Sequence, residues 1–275
     1  MTNYMVETRQ NILPFFKISF AYTIFYLALL VVLPISHLFY HFSHLTWQQF
    51  FNAVANDRVV SAYQLTFVTA FIASSISVVI GFIISWTIVR YKFYGKGLID
   101  IFIDLPLALP TAIAGLSLAN LYAHDAWFGK LLAKLGIEII FNNGGIIIAL
   151  IFVGLPFVVR TIEPVIREMD EDIELAASSL GAKSWQIFWR IYFPGFSPAI
   201  LSAFSMSFAR GLSEYGAVIF IASNIPKESE IISLLIFSKI EQFDYDQATA
   251  IAVVMMLMAF FILWGINLIN KRISS

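Results

Sequence analysis

Arg210 and Glu214 stand four residues apart inside a long apolar run, so on a helix they share one face and can pair. Ionisable groups at such depth usually face a bundle interior or a water-filled path and mark function. The pair therefore reads as part of a substrate path, as a gate, or as a self-neutralised lock on helix packing. Gate or lock is the stronger reading, because Glu214 already satisfies the charge of Arg210. Tyr215 follows directly, and Gly211 and Gly216 flank the pair, where a missing side chain lets another helix come close. His37, His41 and His44 recur at i, i+4 and i+7, a spacing that can gather imidazoles around zinc. They lie among Phe and Tyr at the end of an apolar stretch, where such rings anchor an interface, and no carboxylate stands near to orient them. No metal is expected. Gly181-Ala182-Lys183-Ser184 echoes a phosphate-cradling loop, but GxxxxGK[ST] occurs nowhere, so neither ATP bound in that mode nor any other cofactor is expected. Cysteine is absent, which excludes disulfide and thiolate chemistry. No nucleophile–base–orienter set emerges, and the chain is not expected to be an enzyme.

The elements that must position these residues belong to a membrane bundle. Of 275 residues, 59% are hydrophobic and 13% charged, against roughly half and a quarter in soluble domains. The net charge of −1 leaves no basic footprint for nucleic acid. A span needs about 20 apolar residues, and six segments reach that length: 17–40, 63–89, 98–121, 145–166, 196–222 and 248–270. The expected architecture is all-α, with an N-terminal segment 1–16, a first transmembrane helix 17–40 and a core over 63–270. The opening MTNYMVETRQNILPFFK has few positive charges and no small-residue cleavage site, so the first helix reads as retained rather than as a signal peptide. Pro106 and Pro110 break the third segment just after Asp104; a static kink is favoured over a moving hinge. Arg160 and Glu163 fall at the inner end of the fourth.

Positive residues accumulate in cytoplasmic loops. With the N-terminus inside, eleven Lys and Arg fall on the cytoplasmic side and five outside, and both termini are cytoplasmic. That orientation puts the polar stretch 169–194 on the inner face, between the fourth and fifth segments. Within it Ile173, Ala176, Ala177 and Leu180 keep helical spacing, and Gly181 stops the helix. Trp185, Phe188, Trp189 and Tyr192 repeat that spacing, with Ser184 as N-cap and Pro194 closing the stretch. The loop is thus expected to be two short amphipathic helices at a glycine corner. The small-residue face of the first suits close approach of another protein, and the aromatic second suits membrane lipids. On the outer side, 126–135 is expected to form a short helix. It and the acidic group Glu241, Asp244 and Asp246 either dock an external protein or merely cover helix ends.

Ala176-Ala177, then Gly181, then Ile191-Tyr192-Phe193-Pro194 resembles the "EAA" loop of bacterial ABC importer permeases. The likeness continues through YQLTFVTA, RYKFYGKGLIDIFIDLPLALPTAIAG, ALIFVGLPFVVRTIEPV, FARGLSEYGAVIFIASNIP and EIISLLIFSKIEQFDYDQATAIAVVM, from about residue 11 to 270. Taken together these are similar to sulfate/thiosulfate permeases of the T-subunit type. The resemblance implies a type I importer permease fold in the bacterial inner membrane. It also implies coupling through Glu174, Leu175, Ala176, Ala177, Gly181 and Ala182 to a separate ATPase present in two copies. A homologous second permease, giving a heterodimer, and a periplasmic sulfate/thiosulfate-binding protein complete the implied complex. The family's usual Glu before the alanines is Leu175 here, with Glu174 one position earlier. Sulfate is a dianion, so Arg210 beside a pathway would offset its desolvation. Molybdate or a similar tetrahedral oxyanion is the alternative cargo. An ion-coupled secondary transporter is a weaker alternative, since no second ARGLSEYG-like copy marks an inverted repeat.

Overall fold

A computed structural model describes residues 16–273, and every regular element in it is helical. Segment 1–16 lies outside the described residues except for Phe16. In chain order the elements are α1 (Phe16–Ser43), α2 (Trp47–Val54), α3 (Asp57–Arg90), α4 (Lys96–Ala108), α5 (Thr111–Tyr122), α6 (Trp127–Lys134) and α7 (Asn143–Glu168). There follow α8 (Glu171–Ser179), α9 (Ser184–Ile187), a π turn (Phe188–Tyr192), α10 (Phe193–Leu212), α11 (Val218–Ile221), α12 (Ile232–Glu241) and α13 (Tyr245–Ile273).

The centre of the bundle is the packing of α3, α7 and α10. Small residues make it possible: Ala70, Ala73 and Ser77 on α3, Ala149 and Gly154 on α7, and Ala203 and Ser207 on α10 are all buried. A Cβ on Gly154 would lie 2.5 Å from Ser207 Oγ, so the two backbones meet there because glycine permits it. This is the close approach by which helices associate where surrounding lipid is as apolar as their side chains. By contrast, α1 has no buried residue, and only its second half lies along α13.

Two stretches of π helix interrupt otherwise continuous helices, at Ala28–Val32 and Phe188–Tyr192. Each ends two residues before a proline, Pro34 or Pro194. A proline has no N–H to donate, and its ring crowds the carbonyl four residues back. Widening the preceding turn to i→i−5 bonding, as in Phe193 N–H to the Phe188 carbonyl, lets the helix run through instead of stopping. Residues 184–212 thus form one unbroken helical run, which corrects the expectation that the loop's second helix stands alone.

Among the described residues four helices are long and apolar enough to cross a membrane, α1, α3, α7 and α13, and the α4–α5 pair adds a fifth span if counted as one. The expected segment 98–121 is this pair, bent by 112° at the break between Ala108 and Thr111. The helix expected over 196–222 ends at Leu212, because Glu214 turns its carboxylate onto the Ala217 N–H at 2.8 Å. Helix α3 begins at Asp57, six residues before its expected start, since Asn56 caps it by accepting from the Arg58 N–H.

Candidate functional site

Arg210 and Glu214 do pair, at 2.6 Å, although Glu214 is one residue beyond the C-cap of α10. Glu214 is buried, and besides Arg210 it holds the Ala217 N–H, while its carbonyl accepts from the Ser233 hydroxyl at 2.8 Å. One carboxylate thereby joins the end of α10 to the start of α11 and, through its backbone, to α12. The broken helix seats on the same turn. A Cβ on Gly115 of α5 would come within 2.2 Å of the Ala217 carbonyl oxygen, and one on Gly216 within 2.3 Å of Thr111 Oγ1. Pro106 lies within α4 and Pro110 caps α5, so the bend they make aims α5 at the Glu214 turn. Tyr215 points elsewhere, its ring 4.9 Å from that of Phe237.

The polar loop forms a second constellation. Asp170 caps α8 by accepting from the Asp172 N–H at 2.9 Å. At its other end Gly181 takes φ of +83°, and the N–H groups of Gly181 and Ala182 return to the carbonyls of Ser178 and Ala177. That is the paired-bond glycine stop seen at many helix ends. The expected apolar face of α8 is not packed inward as a unit. Ile173, Leu175, Ala176 and Leu180 are exposed, Leu180 at 90%, whereas Ala177 and Ala182 are half-buried against the bundle. Lys183, not Ser184, occupies the N-cap of α9, its N–H donating to Gln186 Oε1 at 2.9 Å.

Glu174 also turns inward. Its carboxylate accepts from the Tyr192 hydroxyl, which in turn accepts from Arg90 Nη2 at 2.8 Å. The Arg90 guanidinium lies 5.4 Å from the ring of Trp86 and 5.2 Å from that of Tyr192, beside two rings that meet edge-on. Burial first, then the bond to Glu174, pushes the Tyr192 hydroxyl up to about 12, against the opposing pull of Arg90. Beside this network a cavity of about 580 Å³ is lined by Phe82, Trp86, Trp185 and Phe188 among others.

Arg160 joins α7 to α4. It grips both oxygens of Asp104, at 2.9 and 2.6 Å, reaches Asp100 at 2.9 Å, and bonds Glu163 at 2.8 Å. Among the histidines, the His37 and His41 rings meet edge-on at 5.3 Å, while His44 meets Tyr40. They pair as aromatic rings instead of converging.

Residues 77–275 match the family described as binding-protein-dependent transport system inner membrane component. The chain belongs to that family. It is an integral membrane protein of the permease kind. Curated relatives extend the likeness beyond the matched region. The sulfate transport system permease protein CysT of Escherichia coli (strain K12) is 40% identical over 96% of this chain and 95% of its own length. CysT of Synechocystis is 42% identical over 93% and 89%, and a probable cysT of Marchantia polymorpha is 42% identical over 93% and 88%. A solved bacterial ABC transporter that imports alginate shares the permease fold, with a TM-score of 0.79 at 16% identity, covering 94% of this chain and 96% of that one. A methionine ABC transporter in an inward-facing conformation gives 0.60 at 14% identity, over 79% and 97%.

Sequence reasoning placed Glu174 in the loop but missed its partners. Arg90 and Tyr192 are 102 residues apart, and only the hairpin at Gly181 brings Tyr192 back beside Glu174. A basic residue at the last position of α3 was the available signal. The Arg58–Glu230 pair, 172 residues apart, was missed altogether.

Proposed function

We propose that this chain is a permease subunit of an ATP-driven importer for sulfate and thiosulfate. The observation that carries the reading is its likeness, along nearly the whole length, to permeases named for sulfate transport. The alginate importer solved with its periplasmic binding protein supports partners of that kind here. In this reading the first helix 17–40 and a core over 63–270 holding five more make six transmembrane passes, both termini and loop 169–194 face the cytoplasm of the inner membrane, and α10 is the fifth pass. A homologous second permease completes a heterodimer, a periplasmic sulfate/thiosulfate-binding protein docks outside, and two ATPase copies dock below. The chain brings no nucleotide site of its own.

The exposed side of α8, with Leu175, Ala176 and the Gly181 corner, meets the ATPase, while Glu174 and Ala182 face the bundle. Because residues 184–212 form one helical run, movement of the loop is delivered along that run to Arg210. There the Arg210–Glu214 pair acts as a gate element: opening it frees the turn on which α5 rests. The Pro106–Pro110 bend frames that turn, and Tyr215, next in the chain, anchors it against Phe237. A groove of about 310 Å³ opens one helical turn from Arg210 and is lined mainly by apolar side chains, Leu212, Ile236, Met255 and Leu263 among them, while the hydroxyls of Ser213 and Ser233 at its edge donate to backbone carbonyls. Outside, α6 and the acidic residues Glu241, Asp244 and Asp246 supply a docking surface for the binding protein.

The test is labelled sulfate uptake in vesicles holding the complete transporter, with and without ATP and binding protein, and with thiosulfate and molybdate as competitors. ATP-dependent uptake that yields to thiosulfate but not molybdate is expected. Uptake blocked mainly by molybdate would change the cargo, and uptake indifferent to ATP would overturn the reading. Gly181→Asp is expected to insert normally yet disconnect uptake from hydrolysis.

A further inference from the structure

The loop has two faces with different chemistry. Its outward face is open and mixes Leu175, Ala176 and Leu180 with Asp172, Ser178 and Ser179, whereas its inward face carries one carboxylate, Glu174, whose side chain is 46% exposed although its oxygen is engaged. That oxygen is held by Tyr192, the last residue of the π turn, and Arg90 Nη1 stands 3.8 Å from it. Three elements therefore meet at one phenolic hydroxyl: α8 through Glu174, the run 184–212 through Tyr192 itself, and the end of α3 through Arg90. The Tyr192 ring is buried and stacks at 5.7 Å on Phe196, one turn further along α10. The hydroxyl is thus fixed from the bundle side, while the rest of α8 touches the bundle mainly through Ala177 and its Ala182 neighbour. An acceptor on a short exposed helix, bonded to a donor on a buried ring, is a pin at the joint between a moving part and a fixed one. A hydroxyl that bridges a carboxylate and a guanidinium is also stronger than a neutral bond, because both partners are charged.

We propose that Glu174, Tyr192 and Arg90 are positioning residues that hold α8 in register with α3 and the 184–212 run, and so set how much of the ATP-driven movement reaches the bundle. The proposal rests on the coupling role given to loop 169–194 above. It assigns Glu174 to the permease side of that joint, not to the surface that meets the ATPase. Leu175 then needs no charge, because the carboxylate stands one residue earlier and is engaged on the inward side.

The complete complex in proteoliposomes allows sulfate moved and ATP hydrolysed to be read in the same vesicles. Tyr192→Phe keeps the buried ring and its stacking on Phe196 but removes the shared hydroxyl. It is expected to lower sulfate moved per ATP about fivefold, the scale of one net hydrogen bond, with hydrolysis retained. Glu174→Ala should match it, and the double variant should be no worse than either, as expected of one shared interaction. Glu174→Gln, whose amide oxygen still accepts from Tyr192, should keep most of the ratio. An unchanged ratio in Tyr192→Phe, or transport and hydrolysis falling in proportion, would overturn the proposal. Amide hydrogen exchange of residues 171–182 in the purified complex reads the pin without any cargo. Faster exchange in Tyr192→Phe is expected, and unchanged exchange overturns the pin even if the wild-type complex moves no sulfate, a result that would count against the transport reading alone.

Discussion

Helix α3 is 34 residues long, about 50 Å from Asp57 to Arg90, and its two ends are held in opposite ways. At one end Arg58 meets Glu230 with two parallel bonds of 2.7 and 2.6 Å, and the Glu230 side chain is fully buried, at 0% exposure. Lys227 and Asp57, 3.3 Å apart, tie the same loop again. At the other end Arg90 lies beside two aromatic rings and donates to the Tyr192 hydroxyl, which holds a half-exposed carboxylate. A two-pronged guanidinium–carboxylate contact has one good geometry. A guanidinium on aromatic faces tolerates sliding, since the attraction falls off gradually with offset. One end of the helix is built to stay and the other to shift.

The comparison is broken most directly at the rigid end. Arg58→Met leaves the Glu230 carboxylate buried without its partner and is expected to destabilise the protein by about 2–4 kcal/mol. Thermal unfolding of the purified chain in detergent measures this, and a loss below about 0.5 kcal/mol would erase the contrast. Gly181→Val comes next: the site is open, so the cost is backbone strain at positive φ, about 1–2 kcal/mol. It should show as faster exchange in 171–182 with no change near Arg58. Glu174→Gln is expected to cost less than about 1 kcal/mol in the same unfolding assay, because an exposed, hydroxyl-mediated contact contributes little to stability. A loss as large as that of Arg58→Met would mean that both ends are equally fixed.

The smallest effect is the pH response of the flexible end. The Tyr192 hydroxyl ionises near 12 when folded, above its ordinary value of about 10. A group raised in this way lends its full stability below about pH 10 and loses it as pH climbs through about 12. Exchange in 171–182, corrected for the intrinsic rate, should therefore be flat between about pH 6 and 9. The tyrosinate absorbance difference between wild type and Tyr192→Phe should stay absent until pH approaches 12. A difference band below pH 10 would show that the hydroxyl is not held as described.

What could be read from the sequence was whatever depends on neighbours along the chain. Apolar length announced α1, α3, α7 and α13, and the glycine stop at 181 follows from spacing and the absence of a side chain. Arg210 and Glu214 were paired by their separation, a purely local fact. The sequence did not show that Glu214 sits past the helix end, because its competing partner is a backbone N–H freed only when the chain turns at Ser213. Nor did it show Arg160 gathering Asp100 and Asp104 from α4, since that contact depends on how two helices cross. Pro194 misled for a physical reason: proline usually ends a helix, and here a wider turn absorbs it.

That wider turn has a rotational consequence. Each residue of an α-helix advances the azimuth by about 100°, so a turn holding one extra residue shifts the phase of everything before it relative to everything after. The π turn Phe188–Tyr192 therefore indexes Trp185 and Trp189 against Phe196 and Ser207, as a keyway indexes a shaft. Deleting one residue there, with α geometry restored, would swing the loop's aromatic side by about 100° around the axis and carry Ile187 and Phe188 out of their packing against Phe82 and Phe196. The angle at which this protein presents its loop is thus set by one extra residue in one turn and held there by the bundle that the loop serves.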